Sequence, residues 1–475
     1  MRKKSELMVS HEGMQIRVAY DLSYLATFFE RFDHKTGVFR VVEEVLYELC
    51  KRQDLEVTGM ALCGRFEQEE NPFLDAAQSF LYLEDRKDVL DCKFDPSFKN
   101  RFGLSKSYWA AFSHPDVRQD LKQIVDLESG LEWRPQTRDP QKRPLRSLHL
   151  RVLRSIFYRL NYGYKIDRLS KAFDPKKFDV FHSSFSKLPP VNLTKRTPRV
   201  LTVYDLIPVI APEVVDSRFH SPFREILNSI DIQRDWIAAI SEHTKQEFCE
   251  HTGMSPDRVF VAPLAAADYF YPVNDCGAID TVRRRYRIPE GSYFLSLATP
   301  QPRKNLTHLI RCFFRLLSAE SNLDVNLVLV GSSKQAFMLD EILSAMKGST
   351  RFRSRVIFTD YVPDEDLSAI YSGATAFIFP SLYEGFGLPV LEAMQCGTPV
   401  IASNTTSVPE VVGDAGIMID PTDSDQLCQA MLDVLSDASL RERLKREGLK
   451  RAKEFSWEKC AAQVVEVYKK AISSR

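Results

Sequence analysis

Short apolar runs alternate with amphipathic stretches along most of the chain, and this alternation constrains the fold more than any other feature of the sequence. An apolar run bounded by turn formers reads as a buried strand; apolar residues three and four apart read as a helix with one buried face. Strand and helix in alternation demand crossover connections, which build a parallel sheet with helices on both faces. In the first half, Ile16–Tyr20, Leu55–Leu62, Asp179–His182, Val200–Tyr204 and Trp236–Ile240 are predicted strands. Val38–Leu49 is a predicted helix burying Val38, Val41, Val42, Val45, Leu46 and Leu49. In the second half the strands are Tyr293–Leu297, Val325–Val330, Val356–Phe358, Ala376–Phe379 and Pro399–Ala402. The helices there are Leu306–Ser318, Asp364–Ser372, Leu388–Cys396 and Ser424–Leu435.

At 475 residues the chain exceeds one ordinary core. The turn-rich stretch Tyr271-Pro-Val-Asn-Asp-Cys-Gly277 marks the break. The expected architecture is α/β, with two Rossmann-like domains facing across a cleft. Residues 1–273 form the N-terminal domain, with an insertion around 66–177, and 274–456 form the C-terminal domain. The segment 457–475 carries an amphipathic helix, Trp457–Ile472, expected to pack back on the N-terminal domain through Trp457, Val464, Val465, Val467 and Ala471.

Charge and cysteine usage exclude several classes. Lys+Arg and Asp+Glu both total 64, so no global charge draws the chain onto nucleic acid. The nine cysteines are scattered without C-x-x-C spacing, against a zinc ribbon or a disulfide framework and in favour of a reducing cytoplasm. The charged N-terminus lacks the apolar core of a signal peptide, and no apolar run is long enough to span a bilayer. Residues 134–177 are basic, with Leu148, Val152, Leu153, Ile156, Phe157 and Leu160 at helical spacing. An insertion helix with a solvated basic face explains this pattern; so does a surface helix meeting anionic lipid, a peripheral contact at the inner face of the membrane.

The segment Phe379-Pro-Ser-Leu-Tyr-Glu384-Gly385-Phe386-Gly387-Leu388-Pro389 runs from strand end through a Gly-x-Gly loop to a helix with proline in its first turn. Backbone N–H groups and a helix N-terminus at the edge of a parallel sheet favour phosphate oxygens. Glu384 in the loop and Glu392 inside the helix can accept hydrogen bonds from separate hydroxyl groups of one ligand. Gly-Phe-Gly alone also fits an ordinary strand–turn–helix, and Val390 replaces the third glycine of a dinucleotide fingerprint.

Glu384 and Glu392 form an E-x(7)-E motif, and here the chain resembles the retaining glycosyltransferases of GT-B fold, the family 4-like "glycosyl transferases group 1". The similarity extends through Gly397–Ser403, Val408–Gly413, Gly416–Pro421, Pro302–Leu306, Val328–Gly331 and Tyr361–Leu367, covering nearly the whole C-terminal half. The resemblance implies that Arg303 and Lys304 contact the donor diphosphate, Glu384 the sugar hydroxyls and Glu392 the ribose. Gly385, Phe386, Gly387 and Leu388 would line the donor through their backbone, and the Tyr361–Val362 region would border the base. Gly37 resembles the glycine of the loop after the first strand; it also reads as a turn before a helix. In Val203-Tyr204-Asp205-Leu206, Tyr204 stands where many relatives have His, so Tyr204 and Asp205 are candidates for positioning the sugar. Ser241 reads as a helix N-cap, and His182 as a satisfied core histidine.

The implied reaction is front-face transfer of a hexosyl unit from a nucleotide sugar, of GDP-mannose or UDP-glucose type, to a glycan or lipid-linked glycan in cell-surface polysaccharide synthesis. It would need no cofactor and no metal, since Arg303 and Lys304 offset the leaving charge. Paired glycosidase carboxylates leave the basic pair and the glycine loop unexplained. A nucleotide-sugar epimerase and a catalytically idle homologue that binds nucleotide sugar are the alternatives, the second favoured by Tyr204.

Overall fold

The computed structural model describes residues 15–25, 37–60, 93–95, 174–215, 220–297, 301–320, 322–331 and 351–475. Most of the basic stretch 134–177 and of the insertion 66–177 lies outside them.

Two sheets form the framework. The first has seven strands in the order β3-β2-β1-β4-β5-β6-β7. In chain order these are β1 (Ile16–Asp21), β2 (Leu55–Met60), β3 (Lys93–Asp95), β4 (Val180–Ser183), β5 (Arg199–Val203), β6 (Trp236–Ala239) and β7 (Val259–Val261). β1 pairs in parallel with β2 and β4, β2 with β3, and β4 with β5. The second sheet has six strands in the order β10-β9-β8-β11-β12-β13. They are β8 (Ser292–Leu297), β9 (Val325–Val330), β10 (Val356–Phe358), β11 (Ala376–Phe379), β12 (Val400–Ser403) and β13 (Ile417–Ile419), every neighbouring pair parallel.

The burial explains why these segments are strands. β9, β11 and β12 are buried at every position, as strands covered on both faces must be. The helix Leu306–Ala319 places Leu309, Ile310, Phe313 and Leu317 in a core with Phe294, Leu327 and Leu329 of the sheet. The helix Gly37–Lys51 buries Val41, Val42, Val45, Leu46 and Leu49 as its periodicity predicts, with Phe39 in the place expected of the half-buried Val38. The fold class is α/β with Rossmann-like topology.

Contacts divide the chain into two compact units. One comprises residues 1–202, 224–238 and 464–475, the other 203–223 and 239–463. In the first, His182 is fully buried on β4, with Nδ1 2.6 Å from the Tyr468 hydroxyl and Nε2 2.9 Å from Thr202 Oγ1. Burial lowers its pKa to about 3, so both ring nitrogens serve the core as a neutral imidazole. Tyr468 belongs to the helix Trp457–Ser473, in which Trp457, Val464, Val465, Val467 and Ala471 are all buried. Among the described residues no helix is long and apolar enough to cross a membrane.

Candidate active site

In the second sheet the chain runs outward from β8 through β9 to β10, then returns to place β11 on the other side of β8. Such a reversal opens a crevice at the carboxyl ends of the two central strands, where open parallel sheets bind ligands. The loops that follow β8 and β11 carry Arg303–Lys304 and Glu384–Gly387. Sheet topology thus brings together segments some eighty residues apart.

Arg303 and Lys304 lie in a single 3-10 turn, Pro302–Lys304. Asn305 then takes φ +56°, a left-handed conformation that asparagine tolerates, and opens the helix Leu306–Ala319. Its Nδ2 donates to the Pro380 carbonyl at 3.2 Å and the Pro421 carbonyl at 2.7 Å, while Leu382 N donates to the Arg303 carbonyl at 2.7 Å. With its backbone so held, the turn aims both cations at one carboxylate. Arg303 Nη1 lies 2.5 Å from Glu384 Oε2, and Lys304 Nζ 2.6 Å from Glu384 Oε1.

Glu384 is 7% exposed. Burial opposes its ionisation, but Lys304 and Arg303 outweigh burial and hold its pKa below the ordinary glutamate value. Burial, reinforced by Arg303, pushes Lys304 down to about 8 against the pull of Glu384. Arg303 also acts on the Asp205 carboxyl and Lys304 on Glu392, so the two cations sit among several carboxylates, with Glu384 in direct contact with both. Removing the carboxylate would strand both cations, at a cost of about 3–5 kcal/mol for a buried pair.

Gly385 has a steric reason to be glycine. A Cβ there would lie 2.2 Å from the Tyr204 carbonyl oxygen and 2.9 Å from Asp205 Cβ. The Gly385 carbonyl accepts from Ser241 Oγ at 2.8 Å and Thr244 Oγ1 at 3.3 Å, and Ser241 also caps the helix Glu242–Thr252 by accepting from Thr244 N. Tyr204 and Asp205 are thereby packed against the glycine loop. Burial lifts the Asp205 carboxyl to about 6, with Arg303 opposing and Glu384 adding to the rise. Gly387 has φ +113° and starts the helix Leu388–Gln395, with Pro389 in its first turn. Phe386 turns its ring into the core against Phe455, so only its backbone remains for a ligand. Glu392 is buried in that helix and accepts from the Tyr371 hydroxyl at 3.2 Å. Tyr371 belongs to the helix Asp364–Ser372, which begins two residues after the buried Val362.

Gly37 belongs to the other unit, at the start of the helix Gly37–Lys51, where a Cβ would meet nothing within 4 Å. Among the described residues no cluster of three or more His, Cys, Asp or Glu is arranged to hold a metal.

Sequence reasoning missed the residues that hold Glu384 in place. Thr406 has φ +53°, strained for a β-branched residue, and its Oγ1 accepts from Glu384 N at 3.1 Å. Ser407 Oγ donates to the Glu384 carbonyl at 2.8 Å, and Thr405 Oγ1 reaches the Ser381 and Leu382 carbonyls. The Tyr383 hydroxyl donates to Glu247, which also lies 3.2 Å from His243 Nε2. A Thr-Thr-Ser run is ordinary loop composition, and no signal in it marks a clamp.

A glycine loop and buried cations at the switch point of a parallel sheet define an α/β protein built to hold a phosphorylated ligand. Comparison with known proteins narrows the class. Residues 279–451 match the family model "Glycosyl transferases group 1", and residues 131–265 match "Glycosyltransferase Family 4". The chain is 38% identical over 233 residues to O-antigen chain mannosyltransferase B of Escherichia coli, covering 49% of this chain and 60% of that protein. It is 34% identical over 278 residues to the serotype-specific mannosyltransferase WbdA of the same organism, covering 58% of this chain and 34% of that one. It therefore spans only a third to three fifths of the length of these relatives. The crystal structure of Anabaena Alr3699/HepE in complex with UDP and glucose superposes with a TM-score of 0.58 at 14% identity, over 96% of this chain and all of that one. The fold is that of the GT-B glycosyltransferases. By its two matched regions the chain belongs to the glycosyltransferases of family 4 and group 1.

Proposed function

We propose that this protein transfers a hexosyl unit, mannose in the first instance, from a nucleotide sugar to a hydroxyl of a glycan or lipid-linked glycan during cell-surface polysaccharide synthesis. The observation that carries the reading is the convergence of Arg303 and Lys304 on Glu384 beside the glycine loop. Fixed cations in a buried site stabilise the diphosphate as the glycosidic bond breaks and negative charge grows on the leaving group. In this reading Arg303 and Lys304 hold the diphosphate and Glu384 the sugar hydroxyls. Gly385, Phe386, Gly387 and Leu388 offer backbone contacts, Glu392 takes the ribose, and Val362 borders the base. Tyr204 and Asp205 position the sugar. Residues 274–456 carry the donor. Transfer proceeds with retention by front-face attack, without a divalent metal, on the cytoplasmic side of the membrane, where the basic residues 134–177 supply peripheral contact.

Mannose is favoured because both E. coli relatives are named mannosyltransferases. The test is thermal stability of the purified chain with GDP-, UDP-, dTDP- and CDP-sugars in EDTA. A ligand at a hundred times its Kd stabilises the native state by about 2.7 kcal/mol, a rise of several degrees. GDP-mannose is expected to give that rise, and Lys304→Ala to abolish it. An equal rise in the variant would refute the site, and no rise with any sugar would refute the donor-binding reading itself.

A further inference from the structure

The helix Glu242–Thr252 is bonded to the residues on both sides of Glu384. At its start, Ser241 Oγ donates to the Gly385 carbonyl at 2.8 Å and Thr244 Oγ1 to the same oxygen at 3.3 Å. One turn beyond Thr244, Glu247 accepts from the Tyr383 hydroxyl. His243, four residues back on the same helix, places Nε2 3.2 Å from Glu247 Oε1, and its ring meets the Tyr383 ring edge to face at 5.8 Å between centroids. The helix is itself anchored, because the Glu410 carboxylate accepts from Glu242 N at 2.8 Å and His243 N at 2.7 Å.

We infer that Glu247 is a positioning residue for the transfer step, acting through Tyr383 to set where the Glu384 carboxylate stands. The inference rests on the reading of Glu384 as the group that holds the donor sugar. Tyr383 is fixed at both ends. Its hydroxyl bonds Glu247, and its carbonyl accepts from Arg303 Nη1 at 3.2 Å, the nitrogen that also lies 2.5 Å from Glu384 Oε2. A shift of the Tyr383 ring therefore reaches Glu384 through one peptide unit and reaches its cation partner through one carbonyl. Burial first, and then the bond to Glu247, push the Tyr383 phenol above its ordinary pKa, so it keeps its proton and donates. The Glu247 side chain is only 15% exposed, whereas a glutamate on a helix surface is ordinarily solvated; this one has exchanged most of its water for Tyr383 and His243.

Reaction rate is sensitive to such placement, since a misplacement of about 1 Å can cost about 100-fold. The attraction of Arg303 and Lys304 for a diphosphate varies slowly with distance. Loss of the Tyr383–Glu247 bond thus falls on kcat and leaves the donor KM nearly in place.

The experiment follows GDP release from GDP-mannose by the full chain, and amide hydrogen exchange over residues 381–387 without substrate, in Glu247→Ala, Tyr383→Phe, their double variant and Glu247→Gln. Each of the first two is expected to lower kcat about 10-fold or more, with KM within about two-fold, and to speed exchange over 381–387. Combined, they should do no more than either alone, as two ends of one contact. Glu247→Gln keeps an acceptor for the Tyr383 hydroxyl and an amide for His243, so it should restore both readouts. Additive losses in the double variant would overturn the inference, as would wild-type kcat in Glu247→Ala with quickened exchange, which leaves Glu247 a packing group. Unchanged exchange in Glu247→Ala would overturn the contact itself. Wild-type chain inactive on GDP-mannose would refute the transfer reading and this inference with it; active wild type with unaffected variants would refute the inference alone.

Discussion

Replacing Gly385 with alanine tests the packing of the glycine loop. The added Cβ would stand 2.2 Å from the Tyr204 carbonyl oxygen, with Asp205 Cβ at 2.9 Å. Unstrained carbon–oxygen contacts begin at about 3.3 Å, so the two segments must part by roughly 1 Å. Overpacking of that kind costs about 1–3 kcal/mol. The same movement loosens the hydrogen bonds that the Gly385 carbonyl accepts from Ser241 and Thr244, at about 1 kcal/mol each. The sum, about 3–5 kcal/mol, lowers the melting temperature of a unit this size by roughly 10 °C. Differential scanning calorimetry measures it. Gly387→Ala is the control: its φ of +113° strains any side chain, yet the nearest atom to a Cβ is 3.9 Å away. Gly385→Ala should therefore melt below Gly387→Ala, and a Gly385→Ala midpoint within about 2 °C of wild type would refute the steric reasoning.

The remaining predictions concern the charged site, its clamp and the histidine core. Glu384→Gln should reduce donor turnover by about 100-fold, the range for a lost transition-state contact, while circular dichroism stays native. Wild-type turnover would remove Glu384 from the site. Thr406→Val keeps the branched shape but loses the acceptor for Glu384 N, so turnover should fall about 10-fold, with Thr406→Ser restoring it. Equal rates in the two variants would deny the hydroxyl a role. His182 has a folded-state pKa of about 3 against 6.5 unperturbed, so its contribution is intact above pH 6.5 and drains away as pH falls toward 3. Between pH 6.5 and 5 wild type should lose roughly 2 kcal/mol from this group alone. His182→Gln should flatten that part of the profile in urea titrations, and an unchanged slope would refute the shift.

Much of the framework was legible because a strand buried on both faces must be an unbroken apolar run, as Val325–Val330 and Ala376–Phe379 are. β3, β7 and β13 are three residues each, too short for periodicity, and β10, equally short, was legible from its Val-Ile-Phe composition alone. The helices Cys276–Arg285 and Ala438–Ala452 escaped because they bury few side chains: none in the first, and only Leu444, Gly448 and Ala452 in the second. Arg303, Lys304 and Glu384 could be named from their motifs, but their meeting depends on β11 returning to lie beside β8, a fact of topology that no local pattern encodes. Thr406 could not be found, since nothing in a threonine announces a left-handed backbone.

The way the chain is shared between the two units also limits how such a protein can be recombined. The polypeptide passes from one unit to the other at 202/203, 223/224, 238/239 and 463/464. No single cut frees either unit whole. A fragment beginning at residue 274 would leave behind Tyr204, Ser241 and Thr244, whose backbone and hydroxyls pack and hydrogen-bond Gly385. A graft meant to exchange donor preference must therefore carry residues 203–223 and 239–273 with it, as a mosaic of segments rather than one contiguous cassette.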